Sequence, residues 1–164
     1  MYPLLKANIA LQLNAGAEIV MIFDTAAGEV SPWFFKQYIQ PVLTKLAQDY
    51  PSKIGYYSKG TQHAFFDSAF TSLPWAGQGF DHRNELKDCF QVQNKGFVQG
   101  NFDQSLLFME ESLFKKSLQS YIEPLKALTP EQRAGWVCGL GHGVLPKTPE
   151  NNVRLFIETI RKEF

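Results

Sequence analysis

The sequence has no Lys/Arg run, no paired cysteines and no long apolar stretch, and each shortage removes a class of function. Its 16 basic residues are balanced by 16 acidic ones, so the positive footprint that a nucleic-acid backbone or an anionic membrane surface requires is missing. Neither partner is expected. Cysteine occurs only as Cys89 and Cys138, far apart and in apolar surroundings. Reduced thiols in a cytoplasmic protein are therefore expected, not a disulfide framework. The apolar run EIVMIF near the start is far too short to span a bilayer, and no basic-then-apolar signal segment precedes it. The three histidines, His63, His82 and His142, stand apart with no H-x-x-x-H or H-x-C, so no metal site is expected. G-x-S-x-G elbows and Walker loops are absent too.

What is present is one repeated unit: a short apolar run, a polar loop containing Gly, then a segment of helical period. With 164 residues, 45% of them hydrophobic and 20% charged, the chain has the makeup of one globular domain. The spacing predicts strands over 19–23 (IVMIF), 53–57 (KIGYY), 76–80 (AGQGF), 96–100 (GFVQG) and 135–140 (GWVCGL), each followed by helix. IVMIF is β-branched and unbroken, as in a strand buried on both faces. Ser31 reads as an N-cap with Pro32 at the first helical position of a helix running to about Gln48. Thr148 and Pro149 read the same way for the closing helix, whose apolar face carries Val153, Phe156, Ile157 and Ile160. A first helix over 2–13 ends at Asn14-Ala15-Gly16.

Strict β-α alternation means parallel strands, which leaves an open doubly wound sheet or a (β/α)₈ barrel. Both place ligand sites at the carboxyl ends of strands. Those ends carry Asp24 and Thr25, Ser58 and Lys59, Asp81 and His82, Asn101 and Asp103, and His142. Each has a structural alternative: loops are polar anyway, Asp103 suits an N-cap for QSLLF, and Asn101 suits a turn. The loop GLGHGV is no dinucleotide fingerprint, since the position requiring a third glycine is Val144. Glycines 139, 141 and 143 would let backbone approach a ligand or adopt positive φ, leaving His142 as the side chain projecting from that turn.

Three stretches carry a family resemblance. AGAEIVMIFDTAAGEVSPWFFKQYIQPVL (15–43), GFVQGNFD (96–103) and GLGHGVLPKTPENNVRLFIETI (139–160) resemble the carboxyl-terminal half of uroporphyrinogen decarboxylases. Gly79 to Asp81 is similar to that family's Gly-x-Asp-Trp, with His82 in place of Trp. The resemblance implies a single, incomplete TIM-barrel domain over 1–164, the carboxyl-terminal five βα units of a (β/α)₈ barrel. It also implies cofactor-free decarboxylation of the acetate side chains of uroporphyrinogen to coproporphyrinogen, on the way to haem. Thr25 matches the Ser/Thr that hydrogen-bonds substrate, and His142 the histidine that contacts a substrate carboxylate. The family's arginine pair, its pyrrole-gathering Asp and its barrel Tyr have no counterparts here, and neither Asp24 nor Asp81 matches that Asp. No catalytic residue is therefore assigned. The resemblance leaves three readings: a decarboxylase half inactive alone, a non-catalytic porphyrinogen- or protein-binding remnant, and the zinc- and cobalamin-linked methyltransferase branch. The last is disfavoured because its His-x-Cys and loop Cys are here YSKGT and His142. The expected partners are a porphyrinogen and either an amino-terminal half-barrel or a second copy of the chain.

Overall fold

The computed structural model describes residues 1–62, 64–92 and 95–164. Five parallel strands, β1 (Val20–Asp24), β2 (Ile54–Ser58), β3 (Gly77–Phe80), β4 (Phe97–Phe102) and β5 (Trp136–Leu140), form one sheet in the order β1-β2-β3-β4-β5. Every strand pairs with its sequence neighbour. A doubly wound sheet reverses its strand order at a switch point, whereas a barrel does not. The sequential order therefore selects the barrel path, and the fold is part of a (β/α) barrel. The helices are α1 (Tyr2–Asn14), α2 (Pro32–Phe34), α3 (Gln40–Asp49), α4 (Ser68–Thr71), α5 (Leu86–Val92), α6 (Glu111–Lys126) and α7 (Glu150–Glu163).

Alternation along the strands divides the sheet into two faces. The outer face packs on the helices. Val20, Ile54 and Tyr56 join Phe35, Leu46, Phe70 and Trp75 in an aromatic cluster around the first two strands. Phe80 and Val98 pack with Leu86, Cys89 and Leu125, and Phe102 with Leu107, Phe114, Leu118 and Phe156. Burial of each large ring contributes about 1.5–3 kcal/mol. The register puts Met21 and Phe23, Gly55 and Tyr57, Gly77 and Gly79, Phe97 and Gln99, and Val137 on the opposite, concave face. Its glycines make room for neighbours: the Phe97 ring lies where a side chain at Gly77 would have to go.

Four local expectations change. Phe23 is 63% exposed, so β1 is covered on its outer face alone; it stands at the edge of the sheet. The helix opened by Ser31, whose hydroxyl accepts from the Phe34 N–H at 3.2 Å, is interrupted by a π turn over Phe35–Ile39. Pro41 explains the widening, because it has no N–H and its ring crowds the carbonyl four residues earlier. Thr148 does not cap α7: its hydroxyl donates back to the Leu145 carbonyl at 2.6 Å, and Pro149 occupies the cap position. The face of α7 that packs inward carries Val153, Phe156 and Ile160, with Ile157 turned outward at 42% exposure. No helix among the described residues is long and apolar enough to cross a membrane.

Candidate functional site

The chain enters the concave face from both ends of the sheet. Thr25 follows β1 directly and His142 stands two residues past β5, and both line one cleft of 360 Å³. Phe23, Tyr57, Phe80, Gln99, Leu140 and Gly143 complete its lining. The two candidate residues, 117 positions apart by their numbers, are thus brought together by the curl of the sheet.

The His142 loop is held from three sides. Gly141 donates its N–H to the Phe102 carbonyl at 2.7 Å. Its carbonyl accepts the Tyr57 hydroxyl at 2.6 Å, a buried bond from β2. Its α-carbon is wedged against the ends of β3 and β4, where a Cβ would meet the His82 backbone nitrogen at 2.6 Å and the Asn101 carbonyl at 3.2 Å. A side chain there cannot be accommodated without moving backbone. Gly139 and Gly143 differ: added Cβ atoms would meet open space, and neither has positive φ. Of the three glycines in the loop, Gly141 alone is demanded by close approach. Burial, with the Asp81 carboxylate adding to it and Arg83 opposing, pushes the Tyr57 phenol above its ordinary pKa, which preserves it as the donor to Gly141. The half-buried His142 ring makes one long contact, Nδ1 to the Gly143 carbonyl at 3.4 Å.

The other strand-end residues are engaged elsewhere. Asp81 is 1% exposed and accepts from the Gly60 N–H at 2.7 Å, the Arg83 N–H at 3.1 Å, Arg83 Nη1 at 2.6 Å and Asn84 Nδ2 at 3.2 Å. Asn101 is no turn residue: it lies in β4 and its amide donates to the carbonyls of Asp81 and Asn84 at 2.9 and 2.5 Å. Ser58 pairs with Thr61 at 2.6 Å. Together these form a clasp between the loops after β2, β3 and β4. Asp24 accepts from Tyr56 at 3.1 Å and from the Ala26 N–H at 3.3 Å. Asp103 caps the turn Gln104–Phe108 through the Ser105 N–H at 2.9 Å. His82 faces Asp103 across 4.0 Å in a separate 190 Å³ cavity that also touches Glu85, Lys87 and Tyr121.

Phe23, Tyr57, Phe80, Gln99 and Leu140 are lining residues that the strand-end pattern missed, because it read the strands as core. The signal was available in the period-two pattern of β2 and β4, which sends Tyr57 and Gln99 to the same face as Phe23. Cys89 and Cys138 are free, and burial pushes both thiols up to about 12, so they stay protonated and unreactive near neutral pH. His63 lies outside the described residues. Among the described residues no three His, Cys, Asp or Glu side chains converge as a ligand set.

Several known proteins are similar to this chain in sequence or in fold. Uroporphyrinogen decarboxylase from Chlamydia muridarum is 30% identical over 156 residues, covering 93% of this chain and 45% of the relative. The enzymes of that name from Thermus thermophilus and Nostoc punctiforme are 28% and 32% identical, each covering 92% of this chain and 43% and 42% of their own lengths. The chain thus spans less than half of the curated relatives it matches, and the match is to their carboxyl-terminal part. A solved methyltransferase from Methanosarcina mazei superposes with a TM-score of 0.70 at 21% identity, over 92% of this chain and 43% of that one, a likeness of fold. The family model of uroporphyrinogen decarboxylase matches residues 3–163, and the chain belongs to that family.

Proposed function

We propose that the Thr25–His142 cleft is part of a site that binds a carboxylate-bearing porphyrinogen for cofactor-free decarboxylation of uroporphyrinogen. One observation carries the reading: the loops at the two ends of the sheet deliver a hydroxyl and an imidazole to a single cleft whose walls are otherwise largely apolar and aromatic. A flat macrocycle fringed with carboxylates calls for such a surface, apolar area for the rings and a few fixed donors at the rim.

In the reaction a pyrrole protonated on the ring acts as the electron sink, CO₂ leaves, the methylene carbon left behind takes up a proton, and the ring gives its own proton back. This chain's share is binding and orientation. An N–H of His142 donates to a substrate carboxylate, and the Thr25 hydroxyl supplies a second donor. Apolar walls strengthen both bonds by excluding water. Tyr57 does not serve as a donor to ligand, because its proton is committed to Gly141. It braces the loop. The proton source and the acceptor for the pyrrole N–H groups come from the part of the relatives that this chain does not match, so the chain alone binds and does not turn over.

The reading is tested by titrating the chain with uroporphyrin and coproporphyrin. Replacement of His142 by Ala should weaken binding by roughly 1–3 kcal/mol, the cost of losing a hydrogen bond to a charged group, and Thr25→Val should weaken it less. Equal affinities for wild type and His142→Ala would remove the assignment. A second reading, a porphyrinogen-binding module without catalysis, is favoured by the lining itself: its eight residues include no carboxylate, arginine or lysine. It predicts the same affinities but no turnover even when the rest of the barrel is supplied.

A further inference from the structure

We propose that Gln99 is a specificity-determining residue of the Thr25–His142 cleft: its carboxamide N–H donates to the carboxylate of the acetate arm that is to be lost, so that the cleft tells an acetate from a methyl group. The inference rests on the porphyrinogen reading above and adds to it the substrate group met at the bottom of the cleft.

The register builds the concave face in rows. Met21, Gly55, Gly77 and Phe97 form the lower row, and it is filled: the Met21 sulfur lies where a side chain at Gly55 would go, as the Phe97 ring does at Gly77. Phe23, Tyr57, Gly79, Gln99 and Val137 form the next row, one residue from each strand. The Tyr57 ring leans across Gly79, where an added Cβ would meet its Cβ and Cδ2 at 3.1 Å. Its hydroxyl is committed to the Gly141 carbonyl. Gln99 is therefore the polar side chain of that row whose hydrogen-bonding groups are free, and it has no partner among the described residues. Thr25 stands two residues beyond Phe23, so the row of Gln99 lies about 6–7 Å below the rim at a rise of about 3.3 Å per residue. A donor placed there by a strand is more firmly fixed than one carried on a loop.

Chemistry chooses the group it meets. Uroporphyrinogen and coproporphyrinogen differ in the acetate arms, which become methyl groups. As the bond to the methylene carbon breaks, its electron pair passes into the ring-protonated pyrrole and the carboxylate departs as neutral CO₂. A cation paired with that carboxylate would stabilise the starting state and lose its partner as the charge moves away. The cleft lining includes no arginine or lysine. A neutral N–H donor orients the carboxylate with less of that opposing stabilisation, and the floor of Met21 and Phe97 keeps water from beneath it. Propionate arms keep their charge throughout and are matched to the wetter rim at Thr25 and His142.

Titration of the chain with uroporphyrin and with coproporphyrin, for wild type, Gln99→Leu and Gln99→Glu, tests the proposal. Leu should weaken uroporphyrin binding about tenfold, the loss of a hydrogen bond to a charged group, and change coproporphyrin binding by less than about twofold. Gln99→Met, unbranched like Gln, repeats the test without a branch to disturb the row. Glu keeps the shape and replaces the donor by a like charge, so it should weaken uroporphyrin binding further. An equal loss for both porphyrins overturns the proposal, and so does no loss for either. Tighter binding by Gln99→Glu also overturns it, because the carboxamide oxygen would then be accepting from the pyrrole N–H groups. His142→Ala separates this role from the cleft itself. If that variant binds both porphyrins more weakly while the Gln99 variants show no selective loss, Gln99 alone loses its role; unchanged affinities in every variant remove the porphyrinogen reading with it.

Discussion

The ends of the three middle strands and the ends of the two outer ones carry similar polar residues and use them in opposite ways. Ser58, Asp81 and Asn101, after or within β2, β3 and β4, are buried and hydrogen-bonded to one another's loops. Thr25 and His142, after β1 and β5, face an open cleft, and His142 has one long contact at 3.4 Å. Residue type does not separate the two sets, since Ser and Thr, or Asn and His, could serve in either. Satisfaction does. A polar group that already has its partners contributes to stability, and one left free on an apolar surface is available to a ligand.

The comparison is broken most severely at Asp81. Alanine there leaves the Gly60 and Arg83 N–H groups without their acceptor and the Asn84 amide with the Thr61 carbonyl alone, and should cost about 3 kcal/mol of stability. Urea denaturation with an unchanged m-value would measure it. A loss below about 1 kcal/mol would mean that solvent reaches the clasp and that the distinction between closed and open strand ends is overstated.

Gly141 joins the two regions, because its backbone rests on the ends of β3 and β4 while its neighbour His142 faces the cleft. Alanine at 141 must displace the backbone at His82 or Asn101, so stability should fall by roughly 1–3 kcal/mol. Porphyrin affinity should fall with it. Gly143→Ala, with nothing within 4 Å of the added carbon, is the stability control and should change stability by no more than about 0.5 kcal/mol. Equal effects at the two glycines would contradict the wedge.

The β-α alternation was legible in sequence because its signal is repeated: unbroken apolar runs, each followed by a polar loop and a helix, leave a doubly wound sheet or a barrel, between which the resemblance and then the strand order decide. The positions of Thr25 and His142 followed from that topology together with the resemblance. The fate of Asp81 was not legible, since its partner Gly60 is 21 residues away and is brought in by the β2–β3 pairing alone. The buried role of Asn101 was hidden for the same reason, since the Asp81 and Asn84 carbonyls that its amide reaches are 20 and 17 residues away. The π turn was visible in principle, through Pro41 inside an otherwise regular helical pattern. Thr148 shows the limit of cap rules: its hydroxyl had two acceptable local uses, and the tight turn over 145–148 took precedence over the helix start.

At His142 the comparison sharpens into a separation of two measurements. Replacement by Ala should leave stability within about 0.5 kcal/mol of wild type, because no strong bond is lost, while the affinity loss remains in the range of roughly 1–3 kcal/mol. Asp81→Ala should show the reverse, a large stability change with weaker consequences for binding once the protein is folded. A His142 variant that unfolds as readily as the Asp81 variant would place the histidine among the structural residues.

Tyr57 gives the smallest effect and the most specific one, because it belongs to both regions: it rises from the middle strand β2 and its hydroxyl holds the loop after β5. Phe at 57 keeps the ring against Phe23, 5.5 Å away, and removes one hydrogen bond. At neutral pH this should cost about 0.5–1.5 kcal/mol. The sign of its pH dependence follows from the raised phenol pKa: the folded state holds the proton more tightly than the unfolded chain, whose ordinary value is 10.0. The stabilisation is therefore complete below that value and is lost as pH rises through the higher folded value. Denaturation midpoints measured from pH 8 into the alkaline range should fall less steeply for Tyr57→Phe than for wild type. The buried phenols of Tyr56 and Tyr121, also raised by burial, remain in both proteins and cancel from the difference. Parallel curves would show that the Tyr57 hydroxyl is solvated, and that the His142 loop is held by Gly141's contacts with β3 and β4 without a brace from β2.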